Sequence, residues 1–277
     1  MKPFSFSTVA HGATTLLALS ASLASGAALA QSSGEFSLQA LSSQPCEQMI
    51  AKLNTGLERK DPQALYSAGV IYEEGACVAR DPAKAAHMMR GALDAGSLEA
   101  AASLALLTGL GDGVPQDYAA AGALLAKAGL KLGNETVVAG PDADYTRGYA
   151  YTWLRVAQRE LRYPQELRAT GTRGNAELDF EPRSGKWKTG TFRKTSNTED
   201  IAVGSRIDRS RGAATAAIEE AAQAANAKVP APDRNRVAPG SFSAKFTLAP
   251  AADDAQPGIG VIPIIGNVPR GRYGTGG

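Results

Sequence analysis

The chain has 277 residues, 44% of them hydrophobic, and a formal net charge of +2 at pH 7. This composition excludes a chain too polar to fold, and it leaves room for about two domains of ordinary size. The near-neutral total hides an asymmetry, because residues 31–144 carry a net charge of −6 and residues 145–250 one of +7. The change of sign predicts a domain boundary, and it makes the second half the better candidate for contact with acidic surfaces.

The N-terminus has the pattern of a signal peptide. Lys2 gives a basic start, Leu16–Ala30 is an apolar run without charge, and small residues precede a cleavage site after Ala30. We therefore expect residues 1–30 to be removed on export to the periplasm, so that Gln31 begins the mature chain and residues 31–44 form a flexible linker. The alternative is an uncleaved membrane anchor, although the Ala, Ser, Thr and Gly content of the segment favours cleavage.

The chain contains two cysteines, Cys46 and Cys77. An even number of cysteines in an oxidising compartment is what a disulfide requires, so export predicts that the two are bridged. The alternative is a pair of buried thiols that pack as small hydrophobic side chains.

A repeat with a period of 36 residues occupies the first half of the chain. Gly75 is equivalent to Gly111, and Asp81 is equivalent to Asp117. Glycine permits a sharp turn, and aspartate can cap the helix that follows it. Apolar and small residues recur at helical spacing on both sides of these turns. The pattern predicts an all-α helical-repeat solenoid over residues 45–161, with helices at Pro62–Glu74, Pro82–Ala95, Leu98–Leu110 and Tyr118–Ala128.

Several stretches of this repeat resemble Sel-one-like repeats, which are relatives of the tetratricopeptide repeat. They are Gln63-Ala-Leu-Tyr-Ser-Ala-Gly-Val-Ile-Tyr-Glu-Glu-Gly, Asp81-Pro-Ala-Lys-Ala and Ala95-Gly96. The resemblance covers roughly residues 62–159, and it implies a scaffold for protein contacts with no chemistry attached.

A third, partial unit begins at Asp144, where the sequence resembles the second helix of such a repeat without a full first helix. Tyr149, Tyr151 and Trp153 lie on this helix. We expect them to form a cap that closes the solenoid. The alternative is an aromatic surface on which Tyr149 and Trp153 bind a partner.

The second half changes to the two-residue period of β-strands. Residues 174–181 and 187–194 predict a hairpin, and residues 242–248 alternate again as a last strand. Between them, Ala213–Ala227 has an apolar stripe suited to a helix that lies on a sheet. With a short helix after Tyr163-Pro164, residues 162–250 predict a small α+β domain, and the whole chain is expected to be multidomain.

This order of elements resembles the C-terminal domain of the TonB energy-transducer family. The matching stretches are Tyr163–Gly171, Gly174–Phe180, Ser184–Trp187, the alanine-rich helix before Pro230, and Phe242–Leu248. The resemblance implies partners among other envelope proteins, with TonB-dependent outer-membrane receptors as candidates. The chain departs from the family pattern at Arg211-Gly212, where Leu-Asp is usual, and in having no Pro-rich spacer. We therefore interpret the domain as a binding module.

The last strand is the expected binding site. The unpaired N–H and C=O groups of an edge strand can pair with an extended peptide. We expect Ser241–Leu248 to be that edge, with four side chains facing the partner: Ser241, Ser243, Lys245 and Thr247. The alternative is a stable mixed domain whose edges are covered.

The C-terminal residues 251–277 are rich in Gly and Pro, which predicts a flexible tail. Their apolar run Ile259–Ile265 could alternatively fold back as an added strand.

The remaining residues argue against an enzyme. After cleavage His87 is the single histidine, which removes histidine triads and clusters of metal ligands. There is no GxxxxGK[ST] phosphate loop, and paired carboxylates such as Glu73-Glu74 lie at adjacent helix positions that point in different directions. We expect no cofactor, no nucleic acid and no stable membrane insertion.

The favoured function is a periplasmic protein-binding adaptor, and the alternative is a membrane-anchored TonB-type energy transducer with an uncleaved N-terminal segment.

N-terminal sequencing combined with cell fractionation tests the signal peptide directly. We expect a mature chain that begins at Gln31 and is found in the periplasmic fraction, because the apolar segment would be removed on export. A chain that retains this segment and sediments with the membrane would support the anchored transducer instead.

Overall fold

The computed structural model describes residues 34–137, 139–168, 171–195 and 204–249. The predicted signal peptide and the predicted tail lie outside these ranges. No helix within the described ranges is both long and apolar enough to cross a bilayer.

The first half consists mainly of helices joined by short turns. In chain order the elements are α1 (Leu38–Ser42), α2 (Cys46–Glu58), α3 (Pro62–Glu74), α4 (Pro82–Asp94), α5 (Glu99–Leu110), α6 (Tyr118–Lys127), strand β1 (Asn134–Val137) and α7 (Ala143–Glu160). Residues 31–44 were expected to form a flexible linker. In their described part, however, Phe36 and Leu41 are buried in one cluster with side chains of α2 and α3.

The ends of the helices match the predicted repeat. The carboxylates of Asp81 and Asp117 each accept a hydrogen bond from a backbone N–H three residues later, at 3.0 Å, and so cap α4 and α6. Gly75 and Gly111 end α3 and α5 with φ angles of 71° and 72°, a conformation that glycine adopts without strain. The equivalence of these four positions is therefore confirmed.

The helices pack in two rows. Helices α3, α5 and α7 lie side by side in one row, while α4 packs on α3 and α5, and α6 packs on α5 and α7. The sequence around Asp144 was expected to supply the second helix of a repeat, but α7 continues the row of first helices, so that expectation is wrong. The reason is that residues 128–137 contribute a loop and β1 in place of a helix, so that α7 is the next helix after α6.

The second half adds two helices and a sheet. Its elements are α8 (Gln165–Arg168), β2 (Gly174–Glu181), β3 (Lys186–Thr189), β4 (Arg193–Lys194), α9 (Gly204–Lys228), a 3-10 helix (Arg234–Arg236) and β5 (Gly240–Leu248). The sheet is antiparallel in the order β1-β5-β2-β3, and β4 also pairs with β2. The strand predicted at 187–194 is interrupted at residues 190–192, where Phe192 turns into the core. A helical-repeat region is thus followed by a small α+β region, as the sequence predicts.

One hydrophobic core crosses the domain boundary predicted at residue 161. It includes side chains of α5 and α6, passes through α7, and continues into β2, β5 and α9. Strand β1 comes from the predicted repeat domain but pairs with β5 of the predicted second domain. Helix α9, from the predicted second domain, packs on α7. The two halves therefore share one core.

The two cysteines form the predicted disulfide, with the Cα atoms of Cys46 and Cys77 5.3 Å apart. The bridge joins the first residue of α2 to the turn between α3 and α4. Both residues are exposed, so the alternative of two buried thiols is wrong.

Close approach of α6 and α7 depends on glycine, and this generates a stability prediction. A Cβ atom on Gly148 would lie 1.9 Å from the carbonyl oxygen of Tyr118. Gly148→Ala should therefore lower the free energy of unfolding by about 2–3 kcal/mol, measured by urea denaturation. Gly212→Ala on the exposed face of α9 is the matched control. No atom lies within 4 Å of its added Cβ, so it should raise stability by about 0.5–1 kcal/mol. Equal effects of the two substitutions would contradict the close packing of α6 and α7.

Candidate protein-binding site

Strand β5 was predicted to be an edge strand, but it lies inside the sheet. Residues 240–243 pair with β1, and residues 242–248 pair with β2 on the other side. For residues 241–243 the prediction is wrong, because the loop after α6, where no strand was expected, supplies β1. The side chains of Ser241 and Ser243 are used within the sheet. Ser241 Oγ lies 2.8 Å from Thr136 Oγ1, and the Ser243 hydroxyl hydrogen-bonds to the Asp179 carboxylate.

The second half of β5 has a different environment. Residues Ala244–Leu248, which we call the open half of β5, pair with β2 alone among the described strands. Lys245 and Thr247 are exposed on the solvent face of this segment, opposite Glu177 and Asn175 of β2. Of the four predicted partner-contacting residues, these two therefore lie beside backbone that no other described strand covers.

A polar depression of about 390 Å³ lies on the sheet next to the open half of β5. It forms where the chain leaves the sheet between β3 and β4, and Gly190 N donates a hydrogen bond to Glu177 O there at 2.7 Å. Its lining includes Glu177, Arg193 and Lys245. Sequence analysis missed this feature because it interpreted residues 187–194 as one returning strand, although Gly190 stands in the middle of that run.

The predicted aromatic surface is buried. Tyr149 is 6% exposed and Trp153 is 0% exposed, so neither side chain is available to a partner. The Trp153 ring stacks on Phe180 of β2 with ring centroids 4.0 Å apart, and its indole N–H donates to the Asn226 side chain of α9 at 2.9 Å. The expectation of a cap is closer to what is observed, because these residues close the helical stack by packing the sheet against it.

Backbone and hydroxyl groups reinforce the same junction. The Tyr118 hydroxyl donates to Pro230 O, and the Tyr145 hydroxyl accepts a hydrogen bond from Asp233 N at 2.7 Å. These bonds hold the segment between α9 and β5 against the helices. Both tyrosines are largely buried, so their hydroxyl groups need partners inside the protein.

A second surface lies on the repeats. An apolar groove of about 510 Å³, which we call the repeat groove, runs between α2, α3 and α4. Its lining includes Leu57, Leu65 and Met88, with Lys60 and Asp94 among its charged residues. His87 also lines the groove, and its side chain is exposed.

Charged groups are buried where α3 meets α7. The side chain of Glu73 is 1% exposed and forms an ion pair with Arg159, which also lies 3.4 Å from Glu74. Arg155 is buried beside them. Burial raises the pKa of the Glu73 carboxyl, although the Arg159 guanidinium opposes this effect. Burial likewise lowers the pKa of Arg155. The cluster joins α3 to α7, the first and last helices of the row α3, α5 and α7. Sequence analysis considered Glu73 only as one of two adjacent carboxylates that point in different directions.

The described residues contain no group of three or more His, Cys, Asp or Glu side chains placed to hold a metal ion. Two surfaces are candidates for contact with a partner. One is the open half of β5, which pairs with β2 alone among the described strands and lies beside the polar depression. The other is the repeat groove on the helices.

The fold defines a helical-repeat protein that carries a small antiparallel sheet. No protein-family model and no curated protein sequence matches the chain. Among solved structures, the crystal structure of a Sel1 repeat protein from Oxalobacter formigenes is similar at 18% sequence identity and a TM-score of 0.33. The match covers 47% of this chain and 49% of that one, so it spans about half the length of the protein it matches.

The buried ion pair generates a pH-dependent prediction. Arg159→Met leaves the Glu73 carboxylate buried without this partner, and we expect it to lower the free energy of unfolding at pH 7 by about 3 kcal/mol. Without Arg159 the pKa of Glu73 rises further in the folded state. The loss should therefore shrink as the pH falls through that raised pKa and the carboxyl becomes protonated. Urea denaturation between pH 4 and pH 8 measures both effects.

Glu74→Gln is the matched control for this experiment. It removes the exposed partner of Arg159 and should change stability by less than about 0.5 kcal/mol. A loss in Arg159→Met that is the same at every pH would contradict the role assigned to Glu73.

Proposed function

We propose that this protein is an exported, non-catalytic adaptor that binds other envelope proteins, and that the open half of β5 is its peptide-binding edge. The observation that carries the proposal is that, among the described strands, none pairs with Ala244–Leu248 on the side that faces away from β2. Backbone N–H and C=O groups on that side can form a ladder with an extended peptide. A peptide added there would continue the line of β1 along the same side of β5.

The two terminal strands of the sheet are poorer binding edges. Strands β1 and β3 contain four residues each, and β3 carries Lys186 and Lys188 on a segment that also contacts α9. Short length and lysine side chains are devices that keep edge strands from pairing with other chains. The open half of β5 instead belongs to a strand of nine residues that is held in place by β2.

Charge beside the open half of β5 indicates the preferred peptide. The exposed ammonium group of Lys245 lies on the solvent face, where alternate side chains of an added strand would also point. We expect an acidic residue at the peptide position next to Lys245, since a cross-strand pair of opposite charge is favourable. The adjoining polar depression gives room for a longer polar side chain.

The repeats supply the second contact of the proposed adaptor. Their sequence resembles Sel-one-like repeats, and the repeat groove presents Leu57, Leu65 and Met88 to solvent. An apolar groove with a charged rim suits a helical or extended segment of another protein. Because α7 joins the repeats to the sheet through one core, both partners would be held at a fixed separation.

The disulfide supports the proposed compartment. Disulfides persist in the oxidising periplasm and are rare in the cytosol, and Cys46 and Cys77 are bridged although both are exposed. The order of β2, β3, α9 and β5 is the order that suggested the TonB resemblance. We therefore propose envelope proteins, including outer-membrane receptors, as the partners. The anchored transducer depends on residues 1–30, which lie outside the described residues.

Site-specific photo-crosslinking in cells tests the proposal. A photoreactive amino acid replaces Thr247 in the open half of β5 or, as the matched control, Ser241, which lies on the same face of the same strand but beside β1. We expect adducts with another envelope protein from position 247 and few from position 241. That protein, once identified and purified, should slow amide exchange in residues 244–248. Equal adducts from both positions, or none from either, would contradict strand addition at this edge.

A further inference from the structure

We propose that a β-bulge between β3 and β4 builds an anion-binding site from Arg193 and Lys245, and that this site takes the carboxylate of a glutamate side chain on the partner peptide. The site rests on the proposed function, because the glutamate belongs to the strand that would add to the open half of β5. Arg193 is then the residue that selects the peptide.

The chain that returns beside β2 contains one extra residue. Leu178 of β2 pairs with Thr189 of β3, and Asn175 of β2 pairs with Arg193 of β4. Between these pairs β2 has two residues, whereas the returning chain has three, at positions 190–192. An extra residue in one strand of an antiparallel pair is a β-bulge, and it explains why the predicted strand is interrupted here.

The bulge decides on which face of the sheet Arg193 lies. Side chains alternate between the two faces of a strand, and Trp187 of β3 lies on the helix-facing side, with its ring centroid 5.7 Å from that of Trp153. Without the extra residue, Arg193 would share that side with Trp187. The extra residue reverses the alternation, so that Phe192 is buried in the core and Arg193 is exposed on the solvent face.

Arg193 and Lys245 line the same polar depression from strands on opposite sides of β2. The ion pairs formed within the described part of the chain include neither of these two cations. Among the described lining residues they face a single carboxylate, that of Glu177. Gly190 also lines the depression, and its lack of a side chain leaves space there. The surplus of positive charge favours an anionic ligand.

The distance from the binding edge favours glutamate as the source of the anion. In this part of the sheet β4 pairs with β2 and β2 with β5, so Arg193 lies three strand spacings, about 14 Å, from a strand added to β5. Arginine and glutamate are both long side chains that can meet above the strands between them, and a guanidinium can hold both oxygens of a carboxylate. Lys245 lies between them and can pair with the same carboxylate. An aspartate is one methylene shorter, so we expect it to reach Lys245 alone.

Binding of synthetic peptides to the full-length protein, followed by NMR, tests the proposal. The probe is a heptapeptide of alternating valine and threonine with blocked ends and a central glutamate, and two comparison peptides carry glutamine or aspartate in its place. We expect the glutamate peptide to bind at least about fivefold more tightly than the glutamine peptide, with the aspartate peptide in between.

Three variants assign this preference to the site. Arg193 is exposed, so Arg193→Gln should leave the fold intact and reduce the preference for glutamate to less than about twofold. Lys186→Gln is the matched control, since it removes one positive charge from the same face of the sheet, opposite Glu181 and outside the depression, and it should keep the preference. Glu177→Gln removes the opposing carboxylate and should increase the preference. A preference that survives in Arg193→Gln would overturn the proposal.

Two NMR signals separate this proposal from the proposed function. The backbone amides of residues 244–248 report strand addition, and the Nε–H group of Arg193 reports the anion site. If the glutamate and glutamine peptides shift the amides with equal affinity, strand addition stands and the anion site is wrong. If the glutamate peptide shifts the Arg193 signal and leaves the amides unchanged, the anion site stands and the proposed strand addition fails. If neither signal moves, both proposals are wrong.

Discussion

The packing of helix α7 between the repeats and the sheet is the constraint on which the rest of the structure depends. Gly148 of α7 and Gly122 of α6 let these two helices approach within backbone contact. On another side of α7, Trp153 stacks on Phe180 of the sheet. The same helix carries Arg159, which pairs with Glu73 on α3. Helix α7 thus closes the helical stack, supports the sheet, and is joined to α3 by an ion pair.

This constraint determines what the two surfaces can do together. The repeat groove lies among α2, α3 and α4, whereas the open half of β5 lies in the sheet, and the shared core joins them through α7. In a chain of two independently folded domains, a linker would allow partners on these surfaces to move relative to each other. Here the partners of the proposed adaptor would be held in one geometry.

Local signals in the sequence predicted most elements, and the errors arose where distant segments meet. Asp81 and Asp117 each cap a helix through a hydrogen bond to a backbone N–H three residues later, so both caps depend only on neighbouring residues. The alternation of apolar and polar residues in β2 and β5 is visible directly in the sequence. By contrast, Asn134–Val137 is a short polar segment that becomes a strand only because β5 lies beside it. Missing that strand made β5 look like an edge. The alternative of a partner-binding aromatic surface on α7 is wrong for a different reason, because the elements that bury Trp153, β2 and α9, come from the other half of the chain.

Equilibrium urea unfolding followed by two probes tests the shared core most directly. The two tryptophans of the chain, Trp153 and Trp187, report on the junction and the sheet through fluorescence, while far-UV circular dichroism reports mainly on the helices of the repeats. One core requires the two probes to show a single transition with the same midpoint. Two separate transitions, with the helices unfolding at a different urea concentration from the tryptophans, would show that the halves fold independently and would contradict the account.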